Sequence, residues 1–490
     1  MNKKKCILSC AFLVGLCLLL AGVSRLLEYK GSREKIAPFY RHAVGIDVLF
    51  LGDSHACSDI YPLELWRDYG IASYNLASYN LSVPASYWVM RNALLACHPK
   101  LIVLDVNQIW LQEKLNESSN DLHTGLDGFP LNLTKLETIL DLMDDPQLTD
   151  KDGQRFSDLR AEFLFPFIKY HARWSDLNEE DLHPNYDREL GGERNIGVAK
   201  PDAYEITPDA AEESGFGFVY LRRILDFCRD AGIRVLLTNL PYPCRNSNDE
   251  QLYTNAVASV AEEYGVEYVD FVFLDKVVDY GTDCYDPGSH LNPSGAWKVT
   301  DYLGEHLSEA YGMPDHRGED AYASWEAEYA VYEEMKLQSL SREPDPYSYL
   351  MLLSDPSFSA VILIPEGSEA YSDERAMRLL QNAGRRHLMA ADNEEAVWSD
   401  YLMPLEQVGN APDRAWLAVI DRGSAAVLEC SGSGALATSF GSVTLASGTV
   451  TVTGASGSVT LTRQQPGTDL HTAVLDSRTG EVLYEHSVRL

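Results

Sequence analysis

Between Ile46 and Tyr311 the chain alternates short apolar runs with longer amphipathic stretches, and this rhythm limits the fold more than any other feature. Asp47 to Leu51 (DVLFL) and residues 101–106 (LIVLDV) are apolar enough to be buried on both faces, as central strands of a parallel sheet are. Residues 73–77 (SYNLA), 233–241 (IRVLLTNLP) and 266–271 (VEYVDF) read as further strands. Residues 86–99 read as a helix stopped by Pro99, and 216–232 as one closed by Gly232. Two more helices are expected at 249–265 and from about Ala296 to Tyr311. Strands alternating with helices predict an α/β fold with a parallel, doubly wound sheet and right-handed crossovers.

Residues 112–210 break the rhythm. They are polar and acidic, apart from FLFPFIKYHARW at 163–174. The expectation is an insertion that folds over the sheet's edge as a cap, since long irregular insertions in compact domains are usually functional or disordered. Within it, Asp121 and His123 read as solvated loop. His171, Arg173 and Trp174 read either as a sugar-stacking wall or as a packed aromatic patch.

At 490 residues more than one domain is expected, and 45% apolar content is enough to fill their cores. After the domain at 46–312, residues 313–346 read as an acidic helical connector and 347–490 as a separate, mainly β (α+β) domain. That domain has a strand at 359–367, a helix at 372–384 and a hairpin at 415–429. Its tail, GSVTLASGTVTVTGASGSVTLT, keeps a period of two between glycine turns, the mark of antiparallel sheet.

The formal charge of -33 argues against a nucleic-acid partner, because phosphate would be repelled. The start of the chain is different. MNKKK is basic, and Cys6 to Val23 is uncharged and about long enough to cross a bilayer. A cleaved signal peptide is the rival reading. The run is longer than a usual signal core, and AGVSRLLEYK is a poor cleavage site. The sequence therefore predicts a transmembrane helix within residues 1–30, a charged juxtamembrane stalk at 31–45, and the bulk of the chain outside the cytoplasm. Of the nine cysteines, Cys6, Cys10 and Cys17 lie in the anchor; Cys57, Cys97, Cys228, Cys244, Cys284 and Cys430 show no metal spacing and read as buried thiols, with one disulfide left open.

Chemistry is expected where the first strand ends. Gly52 permits a tight turn, and Ser54 then stands past the carboxyl end of that strand, where open parallel sheets bind ligands. A serine hydroxyl needs a base to become a nucleophile. His290, in YDPGSHLNPSG between the last strand and last helix, reaches the same edge. Asp286, four residues earlier, can hold its imidazole in the accepting tautomer, with Asp283 as the fallback. His55 reads as a pocket wall in contact with substrate, and Trp174 as a second substrate contact.

GDSH after a strand, and DPGSHLNPSGA opening the last helix, resemble the first and last blocks of the SGNH (GDSL-type) hydrolases. The resemblance covers roughly Ile46 to Tyr311, less the insertion. It implies a three-layer α/β/α fold and acyl hydrolysis or transfer, often of acetyl, with no cofactor or metal. By position it makes Ser54 the nucleophile, His290 the base and Asp286 its orienting acid. The family's second block has an asparagine and then a glycine whose N–H serves the oxyanion; here Asn75 is followed by Asn80 in the glycine's place. In the third block only Asn107 of LDVNQIW can supply the side-chain donor.

The layout of basic start, single anchor and GDSH strand end looks like that of membrane-anchored polysaccharide O-acetyltransferases and of the protein of teichoic-acid D-alanylation. It implies an acyl donor and a cell-surface glycan as partners. The C-terminal region resembles interleukin-like (FAM3/ILEI-type) modules, which implies a possible envelope-protein partner. An alternative stays open, in which the fold serves as a binding or scaffold module of an envelope assembly without turnover.

Overall fold

The apolar runs form one parallel sheet, in the order β2-β1-β3-β4-β5. Its strands are β1 (Val48–Leu51), β2 (Ser73–Asn75), β3 (Leu101–Asp105), β4 (Arg234–Asn239) and β5 (Glu267–Asp270). The computed structural model describes residues 3–110, 115, 118–143, 149–201, 206–242, 248–274, 277–287, 290–383, 413–421, 424–430, 432–446, 449–462 and 468–490. Cys244 and Ser289 lie outside the described residues.

Side chains alternate between the two faces of a strand, so each central strand feeds two cores. Leu49, Leu51, Ile102, Leu104, Val235 and Leu237 face one layer. There they meet α5 (Val83–Ala93), α11 (Phe216–Ala231) and α12 (Asn248–Tyr264). Val48, Phe50, Leu101, Val103 and Leu236 face the other, against α3 (Ser54–Asp59), α4 (Pro62–Tyr69) and α13 (Pro293–Glu309). The result is an α/β domain of three layers. The α5 helix starts earlier than its apolar pattern suggested, because Ser82 caps it and Pro84 sits in its first turn.

Two expectations need correction. Residues 31–45 are not a stalk: α2 (Gly31–His42) buries Ile36 and Phe39 in the main core. Arg41 is exposed and Arg33, Glu34 and Lys35 are half-buried around this apolar pair, which the charge count hid. His123 is not in solvated loop either. It is buried on α6 (Ser119–Leu126), stacked 3.7 Å from Phe163, with Nδ1 2.9 Å from Asp127. Asp121 completes a capping box with Ser118 on the same helix.

The described part of the insertion carries five short helices, α6, α7 (Leu133–Leu142), α8 (Phe156–Leu164), α9 (Phe167–Tyr170) and α10 (Glu179–Leu182). Leu126, Phe129, Ile139, Phe156 and Phe163 join the core on the α5 side. Its last part reaches the sheet's edge, where the Asn75 N–H of β2 donates to Leu190 O at 2.9 Å. Gly191 has to be glycine there, since a Cβ would stand 1.8 Å from Asn75 O.

The connector is α14 (Ala323–Arg342), followed by α15 (Pro346–Leu352). In the C-terminal region β6 (Phe358–Ile364), β7 (Trp416–Asp421), β8 (Ser424–Glu429), β13 (Leu470–Asp476) and β14 (Val482–Val488) form an antiparallel sheet, β14-β13-β6-β7-β8. The threonine-rich tail forms a second sheet from β9 (Gly434–Thr438), β10 (Gly441–Ala446), β11 (Thr449–Gly454) and β12 (Gly457–Thr462). Val443, Leu445, Val450 and Val452 pack on Val361, Leu363, Leu417 and Val419 of the first sheet. The first sheet's other face is covered by α15 and α16 (Glu374–Ala383).

At the N-terminus α1 (Lys3–Leu27) holds an apolar stretch, Ile7–Leu27, long enough to cross a membrane. Cys57, Cys97, Cys228, Cys284 and Cys430 are buried free thiols, and Cys10 and Cys17 are exposed on α1.

Candidate active site

β1 ends at Leu51, and Gly52 turns the chain with φ at 152°. A Cβ at Gly52 would come within 2.7 Å of Asp105 Cβ at the end of β3, so only glycine lets the two strand ends sit this close. Asp53 then caps α3, its Oδ1 accepting from the His55 N–H at 2.9 Å. Ser54 is thus the first helical residue, at the carboxyl edge of the sheet.

The second loop comes from before α13. Asn292 caps that helix by accepting from Ser294 and Gly295, while its amide donates to Thr282 O at 2.8 Å. The Tyr285 N–H donates to His290 O at 3.0 Å, folding the loop back on itself. Asp286 then receives the His290 backbone N–H at 3.2 Å, and its Oδ2 lies 2.9 Å from His290 Nδ1. His290 Nε2 lies 2.9 Å from Ser54 Oγ. Nδ1–H donating to the carboxylate leaves Nε2 to accept the serine proton, the arrangement of a nucleophile, base and orienting acid. Asp283 does not share this role: it is fully buried and bonded to Lys298 Nζ at 2.6 Å and Ser294 Oγ at 3.0 Å.

A buried polar cluster underlies the pair. Asp53 Oδ2 accepts from Asn107 Nδ2 at 2.9 Å and from Gln108 Nε2 at 2.6 Å. The His55 Nδ1 atom lies 3.4 Å from Asp53 Oδ1, and the ring stacks on His290 at 4.7 Å with a 23° tilt. Burial pulls the His55 ring toward neutrality, but Asp53, with Asp59 and Asp105 behind it, outweighs this and lifts it to about 9. His290 is pushed below its ordinary value, first by burial and then by cationic His55, against the pull of Asp286. Burial, with Asp53 adding to it, raises Asp105 to about 7. Burial also raises Asp59 well above the usual carboxylate range.

Of the remaining sequence-predicted residues, Asn80 takes φ at 54°, the left-handed region that its glycine counterpart would favour. Asparagine tolerates that region better than other side chains, so the turn survives the change. Asn75 braces the turn, donating to Ala56 O at 2.6 Å and accepting from the Ala77 N–H at 3.0 Å. Asn107 is at the site, but its amide faces Asp53 and, at 3.1 Å, His55 Nδ1. It braces the cluster and is not a free oxyanion donor. His55 forms the wall behind His290, buried and packed on Tyr242 at 4.6 Å. Trp174 is 73% exposed on the 3₁₀ turn His171–Ser175, which packs beside α1, and makes no contact with the Ser54–His290 pair. Sequence reading missed Asp53, Gln108 and Tyr285, whose ring lies 5.9 Å from His290. Their only signal was adjacency to residues already singled out.

No family model matches the sequence, and no curated protein matches it. Among the solved structures that resemble the chain distantly are the following three. One is a protein assigned to the lipolytic G-D-S-L family, from Desulfitobacterium hafniense DCB-2 (11% identity, 53% of this chain and 97% of that one, TM-score 0.27). The second is named as an acylhydrolase, from Bacteroides fragilis NCTC 9343 (9%, 56% and 95%, TM-score 0.29). The third is an acetyl xylan esterase from Butyrivibrio proteoclasticus (12%, 55% and 65%, TM-score 0.24). At these scores the likenesses bear no weight on function.

Proposed function

We propose that the chain is an SGNH-type serine acyl hydrolase or acyltransferase, with Ser54 as nucleophile, His290 as general base and Asp286 as the acid that orients it. One observation carries the reading: Ser54 Oγ, His290 Nε2 and Nδ1, and Asp286 Oδ2 form a continuous line of 2.9 Å contacts across 236 residues of sequence. Ser54 attacks the acyl carbon while its proton passes to His290 Nε2. The tetrahedral oxyanion is held by backbone N–H groups of Ser54 and Asn80. Collapse expels the donor's alkoxide, which takes the proton from His290. Water or a sugar hydroxyl, deprotonated by the same imidazole, then attacks the acyl-serine and frees Ser54. The acyl group is most simply acetyl and the acceptor a cell-surface glycopolymer, with α1 as a single-pass anchor and the rest of the chain outside the membrane.

A second reading has the same fold serve as a binding or scaffold module of an envelope assembly. It is favoured by the Asn107 amide, which is already bonded at 2.9 Å to Asp53. Loss of one oxyanion donor costs about 10²–10³ in rate. A fluorophosphonate probe separates the two readings. Catalysis requires labelling of folded protein at Ser54, abolished by Ser54→Ala and reduced by His290→Ala. Absence of labelling on folded protein leaves the scaffold reading standing.

A further inference from the structure

The apolar stretch of α1 spans 21 residues and is exposed over most of its length. At 1.5 Å per residue this is about 30 Å, the thickness of a bilayer's hydrocarbon core. The far end of α1 is covered, however. Leu27 and Glu28 are buried where α9, the turn His171–Ser175 and α10 pack against the helix. Arg173 fixes this seat. Its Nη1 donates to Leu27 O at 2.6 Å, its Nη2 bonds both Asp181 oxygens at 3.0 Å, and its guanidinium lies 5.7 Å over the Tyr29 ring. The insertion therefore sits at the level where α1 would leave a bilayer.

At that level it turns apolar side chains outward. Phe165 is 65% exposed, Ile168 45% and Trp174 73%, beside Leu26 and Tyr29 of the α1 end. Bulky apolar groups gathered next to a membrane helix match the aromatic belt of membrane–water interfaces. We propose that Phe165, Ile168 and Trp174 form a lipid-docking surface that rests in the headgroup region of the bilayer crossed by α1. The proposal rests on the reading of α1 as an anchor. Docking of this kind also orients the domain. A groove of about 540 Å³ runs from Tyr29 and Gly31, past Glu34 and Lys35, to Ser78 and Tyr79 on the loop that carries Asn80, with Glu193 of the insertion on its wall. Its lower end then opens at the membrane surface.

The test uses the full chain in phosphatidylcholine vesicles, with and without lipids brominated near the headgroup end of the acyl chains. Wild type is compared with Trp174→Phe, so that the difference isolates Trp174 from the other tryptophans. The expected result is bromolipid quenching that is lost in Trp174→Phe and weakened in Phe165→Ser/Ile168→Ser. Two results overturn the proposal. If the protein resists an alkaline carbonate wash but the Trp174 emission is untouched by bromolipid and quenched by acrylamide, the docking fails and the anchor stands. If the wash strips the protein from the vesicles, the anchor fails and the docking with it.

Discussion

Replacing His55 by phenylalanine keeps a ring against His290 and removes the charge. The rings are 4.7 Å apart, so a full charge on one acts on the other with about 0.9 kcal/mol in a water-like dielectric. At an effective dielectric of ~20 it acts with about 3.5 kcal/mol. At 1.36 kcal/mol per unit, these limits correspond to a shift of about 0.6 to 2.6 pH units. His290 is partly exposed, so about one unit is the working expectation. The sign follows from its role. His290 acts as a neutral base, and cationic His55 holds its ionisation low. His55→Phe therefore moves the acid limb of the kcat/KM–pH profile upward. The other groups facing His55 do not reverse this: Asp53, left without its cation, pulls His290 further in the same direction, and Asp59 and Asp105 are raised toward the neutral acid. The assay is hydrolysis of an aryl acetate from pH 4 to 9. A limb that stays in place, or moves toward acid while the variant remains folded, refutes the account of His55 as the group that tunes the base.

The two carboxylates of the catalytic loop should part company. Asp286→Asn should lower kcat by about 10³–10⁴-fold with an unchanged Tm, because only the imidazole's orientation is lost. Asp283→Ala should cost about 3–5 kcal/mol of stability, measured by urea unfolding, because it removes the carboxylate that meets the charge of buried Lys298. Asn80→Gly should change stability by less than ~1 kcal/mol and keep activity, whereas Asn80→Val, forced to a φ of 54°, should cost about 1–2 kcal/mol and slow turnover. Asp355 gives a pH test of the domain junction. Burial pushes its carboxyl up, but Lys336 and Arg67 prevail and hold it at about 2, below its usual 3.8. A depressed carboxylate contributes stability above its unfolded value and loses it as pH falls. The stability gap between wild type and Asp355→Asn, about 2 kcal/mol at pH 6, should therefore shrink from pH 4 toward pH 2.

The sheet was legible because buried parallel strands leave a pattern that short-range rules can read: apolar on both faces, bounded by turns, with helices between. The meeting of Ser54 and His290 was legible for a related reason. Both loops follow strands of that sheet, and strand ends at one edge are brought together by topology alone. What escaped is what depends on partners distant in sequence. Charges on residues 31–45 suggested a solvated stalk, yet Ile36 and Phe39 find the main core. Asn107 had the right residue type and the right place for an oxyanion donor. Its amide is instead drawn to Asp53, whose charge at the strand end is buried and must be met. His123 looked solvated because Phe163, 40 residues away, is the ring it stacks on.

The same principle reaches into the accessory domain. Asp283 sits three residues before Asp286, and besides Lys298 and Ser294 it accepts from Asn382 Nδ2 at 3.0 Å, on α16 of the C-terminal region. On the connector, Lys336 bonds Glu64 of α4 and Asp355, at 3.0 and 3.1 Å. At both junctions the lysine is buried, with Lys298 and Lys336 at 2% and 1% exposure. Unpaired, either ammonium would cost several kcal/mol, so the two domains cannot separate without exposing or stranding these charges. An accessory module on a flexible tether would bring substrate near by raising its local concentration. A module joined through Asp283 is placed differently, because α16 bonds the same loop that carries Asp286 and His290. The C-terminal region therefore packs directly on the segment that carries Asp286 and His290, through Asn382 on Asp283 and Ser294.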